Sequence, residues 1–116
     1  RECWFEPTFH KHAGQLCNGL MIHAEGPFYD HAAFRPWRLQ ALALKAIRRL
    51  YPDYDIWRDF PYEYELERLA IDVINGGPSL REWVEDGEAA PDDLDRLASA
   101  DEAQWREEIE GLLLYR

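Results

Sequence analysis

The groups in this chain best suited to bind a ligand crowd into its first third. His10, Lys11 and His12 are consecutive or nearly so, the amide-rich pair Asn18-Gly19 follows, and His23, His31 and Arg35 come soon after. Cations of this kind permit an anionic small ligand, because a lysine or guanidinium makes charge-assisted hydrogen bonds to a carboxylate. Solvated surface charge is the commoner role for such residues. The histidines also offer nitrogen ligands to a metal, but a His-x-His pair with His23 and His31 nearby in sequence matches no zinc signature closely and no cysteine pair supports it, so no metal is expected. No nucleophile triad, phosphate-binding glycine loop or dinucleotide fingerprint is present, and no cofactor is expected.

These residues need elements to hold them. Residues 3–9 alternate, with Phe5, Pro7 and Phe9 facing one way and Trp4, Glu6 and Thr8 the other, which predicts a strand that Pro7 confines to an edge or bulge. Residues 10–19 carry turn signals at Gly14 and Asn18-Gly19, and residues 20–25 alternate again. Together they predict a long-looped β-hairpin. Pairing Phe5 and Phe9 with Ala24 and Leu20 on one face sets Glu6 opposite His23 on the other. It also sets Cys3 far from Cys17, so both are expected to be free, buried thiols.

A helix is expected next, with Asp30 or His31 as cap, Pro36 in the first turn and a stop before Pro52. Residues 53–61 predict an irregular connection, and Tyr62-Glu63-Tyr64-Glu65-Leu66 alternates as a third strand would. Short helices are predicted over residues 67–75 and 78–86, each closed by glycine. A further helix opens at Pro91-Asp92-Asp93. The capping-box pattern of residues 99–102 predicts a separate last helix burying Trp105, Ile109, Leu112 and Leu113. The fold class is α+β, a small antiparallel sheet with four or five helices.

Composition bounds the function. With 116 residues, 47% of them hydrophobic and 14% aromatic, the chain is one folded domain and not a disordered segment. No apolar run is long enough for a transmembrane helix. Residues 1–50 hold seven basic and four acidic side chains, a balance of +3, whereas residues 51–116 hold six and nineteen, a balance of −13. No basic stripe exists to neutralise phosphates, so nucleic acid is not an expected partner. The abrupt start inside strand-like sequence reads as a domain excised from a longer protein.

Residues 5–23, Phe-Glu-Pro-Thr-Phe-His-Lys-His-Ala-Gly-Gln-Leu-Cys-Asn-Gly-Leu-Met-Ile-His, resemble the signature of the C-terminal domain of NamZ-type exo-β-N-acetylmuramidases. Weaker matches follow in order: Phe-Arg-Pro (34–36), Leu-Tyr-Pro-Asp (50–53), Tyr-Glu-Tyr-Glu (62–65), Ile-Asp-Val-Ile-Asn-Gly (71–76), Leu-Arg (80–81) and Leu-Leu-Leu-Tyr (112–115). Positions 10 and 12 depart from the family pattern, which more often has a small hydroxyl residue at the first and often Tyr at the second.

The resemblance implies a preceding Rossmann-like domain, release of terminal N-acetylmuramic acid from peptidoglycan fragments at a cleft between the domains, and an extracytoplasmic location. Glycosidic cleavage takes two carboxyl groups flanking the bond. Among Glu2, Glu6, Glu25 and Asp30, Glu6 is the one catalytic candidate, against the plainer reading of a structural strand pair. The catalytic acid is expected in the preceding domain. The lactyl carboxylate of muramic acid then makes His10, Lys11, His12, Asn18, Gly19, His23 and Arg35 the substrate-binding candidates. Trp4, Trp57, Tyr62 and Tyr64 can stack on a sugar face, although such residues more often serve as core. A stand-alone sugar- or protein-binding module without chemistry is the other reading.

Overall fold

Proline and glycine punctuate the chain where the sequence says they should. In the computed structural model, which describes residues 1–57 and 59–115, the described elements are two strands, four α-helices and a short 3-10 turn. The α+β class is as expected. Two units, Arg1–Phe34 and Arg35–Arg116, each cohere internally.

The first unit is the hairpin. Strand β1 (Glu2–Phe5) pairs antiparallel with β2 (Cys17–Leu20) in the register Glu2↔Leu20, Cys3↔Gly19, Trp4↔Asn18 and Phe5↔Cys17. This corrects the expected register. Glu6 and His23 both lie beyond the strand ends and are not a pair. Two causes act. Pro7 has no N–H to donate, and its carbonyl accepts from Gly14 N at 3.0 Å, which closes a loop where more ladder was expected. No residue of 1–34 is buried, so no covered face enforces one register over another. Asn18 and Gly19 are ladder residues as a result, not loop amides. Asp30 caps a turn of its own: its Oδ1 accepts from the N–H groups of Ala32 and Ala33 at 2.9 and 3.2 Å.

The second unit is helical. Helix α1 (Pro36–Leu50) has Pro36 in its first turn and Arg48 and Arg49 in its last, where cations suit the helix dipole. Residues 62–66 do not form a third strand. Tyr62 and Glu65 make an isolated bridge, and Glu65 Oε1 accepts from Glu67 N and Arg68 N at 2.8 and 3.3 Å, so the chain turns back on itself. Helix α2 (Ala70–Asn75) ends on Gly76, at φ 82°. Helix α3 (Ser79–Glu85) follows.

Helix α4 (Asp93–Ile109) is continuous where two helices were expected. Between Asp93 and Ile109 no proline or glycine breaks the run, and Ala98, Ala100 and Ala103 favour the helix, so the capping-box pattern at residues 99–102 goes unused. Nor does its end bury the expected residues: Trp105, Leu112 and Leu113 are exposed and Ile109 is half-buried.

Ala41, Leu80, Trp83, Val84 and Leu94 form the core of this unit. Lys45 enters it as well, donating to the carbonyls of Trp83 and Asp86 at 2.7 Å each, with its Nζ 4.3 Å from the Trp83 ring centroid. Burial, together with the nearby Arg49, holds its pKa below the usual lysine value. Asp72, also buried, is gripped by Arg81 through three contacts of 2.8–3.1 Å. Glu85 accepts from Arg48 and from the indole N–H of Trp57. Burial pushes its carboxyl up, but those two donors outweigh it and the net shift is downward.

Candidate functional site

Closure of the hairpin loop by Pro7 and Gly14 dictates its backbone. His10 and His12 both sit at φ 60°, the left-handed region, which costs a residue with a Cβ about 1–3 kcal/mol. Two short bonds complete the turn, Ala13 N to His10 O at 3.4 Å and Gln15 N to His12 O at 3.0 Å. His12 Nδ1 lies 3.1 Å from Gln15 Oε1, and the His10 ring meets Phe9 edge-on at 5.2 Å. Lys11 stands exposed between these two strained residues, with no ion pair among the described residues.

The other candidates are placed differently. Asn18 donates through Nδ2 to Glu2 Oε1 at 2.8 Å, so its amide is engaged within the ladder. Gly19 lies beneath Phe5, with a hypothetical Cβ only 2.9 Å from Phe5 Cε1, which makes it a packing residue of the hairpin. His23 is exposed in the irregular segment after β2. Arg35 opens the second unit, on the rim of a cleft that also includes Trp37 and Asn75. The structure therefore brings His10, Lys11 and His12 together on one loop and does not add Asn18 or Gly19 to it. Glu6 is exposed just past β1. Among the described residues no three His, Cys, Asp or Glu side chains converge to hold a metal ion.

A match across nearly the whole chain decides the family. Residues 1–115 match the family model described as exo-beta-N-acetylmuramidase NamZ, C-terminal. The chain belongs to that family. No curated protein and no solved structure matches it. As a NamZ C-terminal domain it is part of an exo-β-N-acetylmuramidase, and its strained loop lies within the matched residues. The backbone strain at His10 and His12 is what sequence reasoning missed. Two histidines carry no turn signature, and only the nearby Gly14 hinted at the closure.

Proposed function

We propose that this domain forms one wall of the cleft in which an exo-β-N-acetylmuramidase releases terminal N-acetylmuramic acid from peptidoglycan fragments. The loop at residues 6–16 faces the sugar in this reading, and Lys11 meets the lactyl carboxylate. The observation that supports it most is that His10 and His12, the neighbours of exposed Lys11, both adopt the left-handed conformation, since backbone strain of this kind clusters at functional sites. The hairpin unit, with no buried residue and with Trp4, Phe9, Leu20 and Phe28 exposed, suits contact with a second body. That body is the preceding Rossmann-like domain, which supplies the catalytic acid, and the enzyme works outside the cytoplasm.

The test is Lys11→Ala in the full-length enzyme. Binding of the anionic muramic sugar should weaken about tenfold or more, as loss of a charge-assisted contact implies, while the neutral N-acetylglucosamine analogue is little affected. Equal losses for both sugars would remove Lys11 from the site. The domain alone should not hydrolyse a chromogenic N-acetylmuramide; turnover by it would overturn this division of roles.

A further inference from the structure

The second unit has a cleft of its own, of about 560 Å³, bordered by the segment leading into α1, the α2–α3 junction and α4 as far as Glu102. That volume is within the range of small-ligand sites. One wall is the indole of Trp37, about a third exposed. Its orientation is fixed, because Nε1 donates to Asn75 Oδ1 at 3.0 Å, and Asn75 Nδ2 in turn reaches Gly77 O at 3.3 Å and Ser79 Oγ at 3.5 Å. Half-buried Leu97 continues the apolar lining.

Charge selects the ligand class. In the lining, Arg38 is committed to Asp95, with Asp92 3.9 Å away, and Glu102 is 3.4 Å from Arg106. Exposed Asp101 makes no hydrogen bond or ion pair among the described residues. Arg35 adds a guanidinium from just before α1, and its five N–H donors let it hold a ligand carboxylate alongside another acceptor. A neutral ligand would cover the Asp101 carboxylate without replacing its water, which is costly. An anion would face that carboxylate, and a simple cation would face Arg35. A ligand with an ammonium at one end and a carboxylate at the other meets both groups. Asp101 comes from α4 and Arg35 from the lead into α1, so the ligand's charges are set apart along its length. Small apolar groups between them lie on Trp37 and Leu97. We propose that this cleft binds a short peptide with free ends, its ammonium on Asp101 and its carboxylate on Arg35. Every group in this site belongs to the second unit, and its chemistry is independent of the muramidase activity.

The test is a titration of the chain, labelled with nitrogen-15, with alanyl-alanine. The Trp37 indole N–H signal should shift saturably, and added salt should weaken binding. N-acetyl-alanyl-alanine and alanyl-alanine amide, each lacking one end charge, should each bind about three- to tenfold more weakly, the loss expected of one partly exposed charge-assisted contact. Asp101→Asn should reproduce that loss for alanyl-alanine and change nothing for the acetylated peptide. Arg35→Gln should weaken binding of alanyl-alanine and change nothing for the amide. An unmoved Trp37 signal, equal binding of free and capped peptides, or an equal loss for free and acetylated peptide in Asp101→Asn overturns the proposal. Free alanine binding as tightly as alanyl-alanine would overturn the separation of charges, and with it the peptide. Should Arg35→Gln fail to fold by circular dichroism, Asp101→Asn, at an exposed position, and the capped peptides still decide.

Discussion

The ring of Phe5 occupies the space that any side chain at Gly19 would need, 2.9 Å from where its Cβ would sit. Glycine at this position is a packing requirement and not one of backbone angle, since Gly19 is absent from the positive-φ residues. Gly19→Ala should therefore push the half-exposed ring aside and cost the hairpin about 1 kcal/mol or less, below the range for overpacking a closed core. Adding Phe5→Ala should remove most of the extra cost, a non-additive double-mutant cycle read by amide exchange of the β1 and β2 ladder.

The same register sets the two cysteines on a diagonal of the ladder. Cys3↔Gly19 and Phe5↔Cys17 lie on one face of the ladder, two residues apart with Trp4↔Asn18 between them, and the Phe5–Gly19 diagonal is filled. A disulfide would have to cross it along the other diagonal. Both cysteines are free, and half-buried where full burial was expected. Labelling of the unfolded, unreduced chain should find two thiols; finding none would show that the hairpin register is wrong.

Relief of strain makes a prediction in the opposite direction. Glycine adopts φ 60° without penalty, so His10→Gly should stabilise the closed loop by about 1 kcal/mol. The Pro7–Gly14 hydrogen bond offers the readout: exchange of the Gly14 amide should slow about fivefold. Faster exchange would mean that the His10 side chain, and not its backbone, holds the loop.

Glu65 sets an acid-side limit on the turn that precedes α2. The Glu67 N–H first, then the Arg68 guanidinium, hold its pKa down to about 2 from 4.5. A carboxyl held low contributes stability that is present above its ordinary value and is lost as pH falls toward the folded value. The turn at residues 62–68 should loosen between about pH 4.5 and 2, followed by the carboxyl carbon shift of Glu65. Arg68→Ala should raise the midpoint only in part, because the backbone donors remain.

The helices of the second unit were legible wherever a residue forces the backbone. Pro36 starts α1, Pro52 stops it, and Gly76 closes α2 in a left-handed turn. The division of α4 was misread because a capping box is a local pattern, and nothing nearby obliges the helix to break. Register in the hairpin was illegible for a different reason: with no residue of 1–34 buried, alternation has no core to point at. Lys11 could be picked from its charge and its loop. The angles of its neighbours could not, because they follow from the bond between Pro7 and Gly14, seven residues apart.

The seat of Lys45 has a practical consequence. The sequence contains two lysines, Lys11 and Lys45. One side-chain amine is enclosed and held by two carbonyls, and the other is exposed on the loop. Amine-directed dyes and crosslinkers applied to the folded domain will therefore mark Lys11 in preference to Lys45, apart from the chain's α-amine. A reporter can thus be attached at the tip of the hairpin loop in the native sequence, with no engineered cysteine.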